Sequence, residues 1–350
     1  MLDRTASCVA STIVALVAML TLGGCSCEEP RANVVVVVID TLRADHLGCY
    51  GYERPTSPQL DRLAAEGVLF ENAFASSSWT APSIASLFTS LHPSAHGVTT
   101  FNAALPAAVA TLPEILHQDG FRTAGLSANF VHIIGRKGFA RGFEIFEELR
   151  RPARDGEAAE FVGLLAADAE TVTTRALAAA AAMRGAPFFL YVHYMDPHSG
   201  YTPPEPFRSR FVRPYDGPFD GGTEQLKRVM QGEMAIADGD MQRLVDLYDA
   251  EIAYTDAEIG RLFDGLRDLD VFDGSVVAVL SDHGEEFGDH GGVFHGVTLY
   301  EEMTRVPLLL RLPRGRHAGT RVASVVSLVD LGPTLIELAG ADDERSTQGV

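Results

Sequence analysis

The sequence predicts an α/β domain in which helices cover both faces of a mostly parallel sheet. Two apolar runs, Val34–Ile39 and Val276–Leu280, are rich in β-branched residues, which is typical of strands buried on both faces. Strand and helix patterns also alternate along the chain, as they do in layered α/β domains. Ligands bind at the carboxyl ends of strands in such sheets. Asp40 follows the first run, and Asp282 and His283 follow the second, so we expect both runs to serve one site.

The remaining elements follow from local patterns. A capping serine, Ser57, and a first-turn proline mark the start of the first helix. Short apolar runs between turn formers predict the strands Asn33–Ile39, Thr123–Ser127, Phe188–His193, Ser275–Leu280 and Val306–Arg311. Helical patterns predict Pro58–Glu66, Pro82–Leu91, Leu112–Gln118, the Ala-rich Glu157–Met183, Met241–Leu269 and Leu331–Ala339. The segment Pro197–Gly222 is long for a connection, so it is either a disordered excursion or, as we favour, a lid near the strand ends.

Composition limits the classes of partner. The chain has 350 residues, 46% of them apolar, which is enough for a substantial core. Its formal net charge is −19, and lysine occurs only at Lys137 and Lys227, so nucleic acid is not an expected partner. An acidic surface repels anionic esters, and a bound divalent metal is the obvious source of local positive charge.

The first 24 residues are predicted to be an export signal. Arg4 lies in a short polar start, and Val9–Leu22 is a largely apolar stretch too short for a comfortable membrane span. The following Gly23-Gly24-Cys25 resembles a lipobox, in which the cysteine is diacylated. We therefore expect lipidation of Cys25, a tether over residues 25–32, and a bacterial cell-envelope protein anchored to the membrane and facing the periplasm or the exterior. An ordinary cleaved signal and a retained membrane anchor are the alternatives.

Thr80 is the candidate nucleophile. It lies just before a predicted helix, whose first N–H groups are unpaired and attract anions. A divalent cation bound to its hydroxyl could activate it without a separate base. The alternative is that Thr80 only caps the helix.

Histidines cluster at two further positions. His193 ends the strand that begins at Phe188, Asp196 and His198 follow it, and a glycine-rich loop carries His290 and His295. These side chains can bind substrate or transfer protons, although single histidines often serve only as structural hydrogen-bonding groups and glycine-rich loops are often plain surface turns.

Several of these motifs together resemble the sulfatase family of the alkaline phosphatase superfamily. The similar segments are Asn33–Tyr52, Ser78–Val98, Pro187–Pro204, Val277–Pro307 and Asp330–Gly340. The resemblance implies a three-layer, alkaline phosphatase-like α/β sandwich with a metal at the carboxyl ends of the strands. It assigns Asp40, Asp282 and His283 to the metal and Thr80 to the nucleophile, which also contacts the ion.

The sequence departs from the sulfatase pattern at positions that bear on which ester the enzyme can cleave. Sulfatases carry a Cys or Ser that is converted to formylglycine, whereas Thr80 has a β-branch that prevents this conversion. Ile84 and Leu91 replace arginines, Thr41 replaces a second acidic ligand, and His295 stands where a lysine is usual. These departures resemble the phosphate-handling relatives, which are phosphodiesterases, phosphoethanolamine transferases and phosphoglycerol transferases.

The sequence thus predicts a metal-dependent hydrolase or transferase of phosphate esters, with residues 33–350 as a catalytic domain that lacks a C-terminal subdomain. The expected cofactor is one Zn, Mn or Ca ion, and the expected partner is an anionic ester. Proton transfer is assigned to His198 and His295, and substrate binding to His193, Asp196 and His290. Sulfate-ester hydrolysis and a non-catalytic metal-binding lipoprotein are the alternatives.

Overall fold

An eight-stranded sheet forms the centre of the domain in the computed structural model. The structure describes residues 31–151, 165–343, 345 and 347–349. The signal segment with Cys25 and the first part of the predicted helix Glu157–Met183 lie outside these residues. The strands are β1 Asn33–Ile39, β2 Val68–Phe74, β3 Arg122–Ser127, β4 Ile145–Glu148, β5 Phe188–Tyr194, β6 Ser275–Leu280, β7 Glu286–Phe287, β8 Val293–Phe294, β9 Arg305–Arg311 and β10 Thr320–Ser327.

The main sheet has the order β10-β2-β9-β6-β1-β5-β3-β4, and β7 pairs with β8 in a separate small sheet. Strand β9 pairs antiparallel with both neighbours, β2 and β6, and the other pairs of the main sheet are parallel. The prediction of a mostly parallel sheet is confirmed.

Strand β1 shows why the sheet is covered on both faces. Val34, Val36 and Val38 belong to one hydrophobic cluster, whereas the alternate Val35 and Val37 belong to another. Successive side chains of a strand point to opposite faces, so each face of the sheet has its own core. Full burial of one such side chain contributes about 1.5–3 kcal/mol.

Helices form the two outer layers. The helices are Pro58–Glu66, Thr80–Thr89, Pro93–His96, Leu112–Gln118, Ala169–Met183, Phe207–Phe211, Thr223–Met230, Asp238–Asp268, Glu301–Thr304 and Leu331–Ala339. Leu63, Val172 and Ile259 bring three of them into the cluster with Val35. The opposite cluster contains side chains from the helices Thr80–Thr89, Leu112–Gln118 and Leu331–Ala339. The three-layer α/β sandwich is therefore confirmed.

Some elements differ from the sequence prediction. The Ala-rich helix begins at Ala169, since Asp168 is its N-cap and accepts the Thr171 amide at 2.9 Å. Strands β2 and β10 were missed because neither is a continuous apolar run, and β10 is a largely exposed edge strand. Among the described residues, no helix combines the length and apolar character that crossing a membrane requires.

The segment Pro197–Gly222 is held against the long helix Asp238–Asp268. It contains the helix Phe207–Phe211, whose Phe211 packs against Ala250 and Ala253. The Thr202 amide also donates to the buried carboxylate of Glu251. The segment thus has fixed contacts with the scaffold, and its role as a lid stays a prediction.

Two carboxyl groups lie beneath the start of this segment. Asp196 accepts the Ala169 amide at 2.9 Å, and Glu251 is 3% exposed with its Oε2 unpaired. Burial raises the pKa of Asp196 to about 7. Burial and the neighbouring Asp196 raise the pKa of Glu251 well above its usual value.

We expect Glu251→Gln to weaken the pH dependence of stability. Both carboxyls bind protons more tightly in the folded protein than in the unfolded chain, so stability is greatest below the ordinary pKa of about 4. Stability falls as the pH rises through the pKa values that the two carboxyls have in the folded protein. The glutamine side chain does not titrate, so the variant retains only the titration of Asp196. Urea unfolding between about pH 5 and pH 8 should show a smaller loss for the variant than for the wild type. Asp264→Asn, which changes an exposed carboxyl of the same helix, should behave as the wild type. An unchanged slope in Glu251→Gln would contradict the account.

Candidate active site

The residues of the candidate site lie at the carboxyl ends of four adjacent parallel strands. In the order β6-β1-β5-β3, their carboxyl ends bear Asp282 and His283, Asp40, His193, and Asn129. Because these ends meet at one edge of the sheet, residues distant in sequence become neighbours.

The acidic and imidazole groups form one buried cluster. The ligand atoms of Asp40, His193 and Asp282 lie within 4.8 Å of one another. His283 Nε2 is 3.5 Å from Asp40 Oδ1 and 3.4 Å from Asp282 Oδ2. All four residues are fully buried. The structure thus brings together the predicted ligands Asp40, Asp282 and His283, and it adds His193, which the sequence assigns to substrate binding, to the same cluster.

Two carboxylate atoms in this cluster are suited to a cation. Asp40 Oδ1 and Asp282 Oδ2 are buried without a hydrogen-bond partner. Burial and the neighbouring Asp40 raise the pKa of Asp282 well above its usual value. For Asp40, burial acts in the same direction, but the hydrogen bond with His193 and the nearby imidazoles lower its pKa overall. Two carboxylates this close cannot both ionise readily alone, and a divalent cation removes that conflict.

Thr80 lies beside this cluster. It is the first residue of the helix Thr80–Thr89 and is 3% exposed. Its Oγ1 lies 3.3 Å from His283 Nε2 and 3.3 Å from Asn129 Nδ2. Ser83, one turn later, donates to the Asp282 carbonyl at 2.6 Å and so ties the helix to the strand end that carries Asp282.

The turn after Asp40 is strained and braced. Thr41 has a φ of +58°, which is unfavourable for a β-branched residue. The Tyr248 hydroxyl donates to the Thr41 carbonyl at 2.8 Å and accepts the Arg43 amide at 2.8 Å. These bonds hold the turn that directs Asp40 into the cluster.

The two predicted proton-transfer residues, His295 and His198, lie next to this cluster. The ring centroid of His295 is 4.5 Å from that of His283 and 5.0 Å from that of His198. Glu285 Oε1 lies 3.1 Å from His295 Nδ1, and Glu285 Oε2 accepts the Tyr201 hydroxyl at 3.3 Å. Burial raises the pKa of Glu285 to about 7 and lowers that of His295 to about 4. A carboxyl bonded to Nδ1 fixes the orientation of the imidazole.

Three residues of the site escaped the sequence analysis: Asn129, His132 and Glu285. Asn129 Nδ2 donates to Asp40 Oδ2 at 2.7 Å, and its position just after β3 was the available signal. The His132 ring packs edge-on against Trp79, next to the nucleophile, and burial lowers its pKa to about 3. No pattern singled out His132 or Glu285.

Two predicted substrate-binding residues make other contacts. Asp196 bonds to the helix start at Ala169, as described above. His290 Nδ1 lies 2.6 Å from Glu302 Oε1, and its ring stacks on Tyr300. The structure therefore does not bring either residue into the cluster around Thr80, and a role in binding substrate stays a prediction for both.

The arrangement is typical of a metal-dependent hydrolase, with a hydroxyl at a helix start beside a carboxylate and imidazole cluster. The chain belongs to the sulfatase family, because the family model described as Sulfatase matches residues 32–341. Enzymes of this family depend on a metal, for which Asp40, His193 and Asp282 form a candidate site. The chain is an enzyme of the class that hydrolyses ester bonds.

Similar proteins act on different esters. The chain is 24% identical to the N-acetylglucosamine-6-O-sulfatase of Bacteroides thetaiotaomicron, over 97% of this chain and 74% of that protein. It is 27% identical to human iduronate 2-sulfatase, over 88% of this chain and 69% of that protein. Among solved structures, the phosphonate monoester hydrolase of Agrobacterium radiobacter superposes with a TM-score of 0.73 at 22% identity, covering 91% of this chain and 76% of that one. The alkaline phosphatase-like α/β fold is thus confirmed.

We expect Glu285→Gln to reduce kcat by about 10- to 100-fold, as is typical when the partner of a functional imidazole is changed. The loss should be larger for an alkyl ester than for a 4-nitrophenyl ester, because a poor leaving group needs the proton more. Steady-state kinetics on both esters measure this difference. Tyr201→Phe removes only the other hydrogen bond of Glu285 and is the matched control, with a smaller effect on both esters. Equal losses for the two leaving groups would contradict a role through His295.

Proposed function

We propose that the protein cleaves or transfers phosphate esters through Thr80. The observation that carries this proposal is the identity of the residue at the nucleophile position, a threonine whose hydroxyl lies 3.3 Å from His283 and from Asn129. A threonine cannot become formylglycine because its β-carbon bears a methyl group. It can still form a phosphate ester and release it by hydrolysis or transfer, as a plain hydroxyl nucleophile does.

A metal ion bound at the site would supply positive charge to the reaction. The residues that would hold the ion are Asp40, Asp282, His283 and His193, through oxygen and imidazole ligands suited to Zn or Mn and, less readily, Ca. When bound, the ion supplies positive charge that favours the deprotonated hydroxyl of Thr80 and offsets the negative charge of the ester. Ile84, which replaces an arginine of the sulfatase motif, is buried in the core and adds no charge.

Bond formation, proton transfer and positioning are assigned to individual side chains. Thr80 Oγ forms a bond to phosphorus in line with the ester oxygen, whose bond to phosphorus breaks. The protonated form of His295 or His198 gives that leaving oxygen a proton, and the Glu285 contact holds His295 in place. A water or a second alcohol next attacks the phosphothreonine and returns a proton to the same histidine. Asn129 Nδ2, near both Asp40 and Thr80, can hold the Thr80 oxygen in position.

Sulfate-ester hydrolysis is the second candidate. It is favoured by the relatives named as N-acetylglucosamine-6-O-sulfatase and iduronate 2-sulfatase. A threonine sulfate, however, has no hemiacetal hydroxyl through which the sulfate can be eliminated, so turnover should be slow.

The location of the enzyme is also a proposal. A lipid at Cys25, with residues 25–32 as the tether, would hold the catalytic domain at a bacterial membrane surface in the periplasm or outside the cell.

We expect purified protein with Mn or Zn to hydrolyse an aryl phosphodiester or phosphomonoester faster than the matching aryl sulfate. Thr80→Ala should lower kcat by about 10³-fold or more, since it removes the nucleophile. Thr80→Ser is the matched control, because it keeps a hydroxyl and should retain activity to within about 100-fold. Full activity in Thr80→Ala would show that the nucleophile assignment is wrong. Sulfate turnover above that of both phosphate esters would favour the second candidate, and no turnover with metal bound would favour a binding protein.

For the anchor, we expect wild-type protein made in a bacterium with two membranes to incorporate labelled palmitate and to partition into detergent. Cys25→Ser should lose the label, because acylation needs the thiol. Cys27→Ser lies two residues away and should keep it. Labelling that survives in the Cys25 variant, or an unlabelled wild type, would count against the lipoprotein assignment.

A further inference from the structure

We propose that Glu286, His290 and Glu302 form a second divalent-metal site, separate from the cluster around Thr80. Their ligand atoms lie within 4.8 Å of one another. Two ligands of a tetrahedral ion are each about 2.0–2.2 Å from it and so about 3.4 Å apart. The observed spacing is compatible with a bound ion if His290 Nδ1 and Glu302 Oε1, which are 2.6 Å apart, separate by about 0.8 Å.

The cluster is built around a buried carboxylate. Glu286 is 4% exposed, and its Oε1 accepts the amides of His290 at 3.1 Å and Gly292 at 2.7 Å. Gly292 lies close to this carboxylate, since a Cβ there would be 2.8 Å from Glu286 Oε2. The backbone thus fixes Oε1, and Oε2 is the atom through which Glu286 could bind an ion.

The other two groups face each other beside an open cleft. His290 Nδ1 lies 2.6 Å from Glu302 Oε1, and the side chains are 44% and 8% exposed. The ring of His290 is held by stacking on Tyr300. Both residues line a cleft of about 260 Å³, so an ion and its waters can enter from solvent.

The two arginines that line this cleft bond to groups other than Glu286, His290 and Glu302. Arg43 pairs with Asp45 at 2.8 Å and with Asp289 at 2.7 Å. Arg305 donates to the Glu71 carbonyl at 2.9 Å. Among the described residues, neither arginine bonds to the side chains of Glu286, His290 or Glu302. Their mixed set of oxygen and nitrogen atoms suits Zn²⁺ or Mn²⁺.

Such an ion would brace the segment that carries the proton-transfer group. Glu286 follows Glu285, the partner of His295, and pairs across the small sheet with Phe294. Glu302 lies in the helix Glu301–Thr304, whose Met303 carbonyl accepts the Gly284 amide at 2.8 Å. The three ligands thus join both ends of the loop between β6 and β9, and the ion would stabilise that loop.

The test uses the tag-free full chain and Zn²⁺ alone. After equilibration and gel filtration, metal analysis should find one more equivalent in the wild type than in Glu302→Gln. The matched control is Glu301→Gln, which removes a neighbouring charge from the same cleft and should bind as the wild type does. Asp282→Asn weakens metal binding at the cluster around Thr80 and should still retain one equivalent of Zn²⁺. The double variant Asp282→Asn/Glu302→Gln should lose this equivalent.

Thermal unfolding gives a readout independent of catalysis. In the Asp282→Asn background, Zn²⁺ should raise the midpoint by a few degrees, and Glu302→Gln or His290→Gln should abolish this rise while leaving the metal-free midpoint close to that of the parent. Equal Zn²⁺ content in the wild type and Glu302→Gln, or no Zn²⁺ in Asp282→Asn, would overturn the proposal. Neither result bears on Thr80 as the nucleophile.

Discussion

The repulsion between Asp40 and Asp282 is the constraint on which the rest of the site depends. Both carboxylates are fully buried, and each has one oxygen without a hydrogen-bond partner. An arrangement of this kind is costly unless a cation lies between the groups. The imidazoles of His193 and His283 lie beside these carboxylates, and the four side chains together form a candidate set of oxygen and nitrogen ligands. Thr80 Oγ1 lies 3.3 Å from His283 Nε2, so this hydroxyl is adjacent to the candidate metal site.

The fold supplies the rigidity that such a site needs. Asp40 and Asp282 follow two hydrogen-bonded central strands whose register places Val38 opposite Leu280. Thr80 comes from a helix on one face of the sheet, and Ser83 ties that helix to the Asp282 strand end. The long helix on the opposite face contributes Tyr248, which braces the turn after Asp40. Elements from both outer layers thus fix the geometry at one sheet edge.

The central strands and the candidate site residues could be predicted, because two separate β-branched runs each lead into polar residues that can bind a metal. Asp40, Asp282 and His283 were found in this way, Thr80 was found from its place before a predicted helix, and the four residues lie together. The edge strand β10 could not be found, since its side chains are largely exposed and carry no apolar pattern. Glu285 was missed because its role depends on one contact, with His295, that only the folded chain creates. His290 was assigned to substrate from its loop, yet it contacts Glu302, whose proximity no local pattern indicates.

The proposed preference for phosphate esters follows from one side chain, that of Thr80. Sulfatase-family membership and the candidate metal site are compatible with sulfate, phosphate or phosphonate esters. In the proposed mechanism Thr80 favours phosphorus, because a phosphothreonine intermediate can be released by direct attack. The most direct test is a crystal structure of the protein grown with Mn²⁺, with anomalous data collected to locate the metal. The account predicts a strong peak between Asp40 and Asp282, within bonding distance of His283 or His193 and adjacent to Thr80 Oγ. If Mn²⁺ binds but no peak lies between these two carboxylates, the central claim is contradicted.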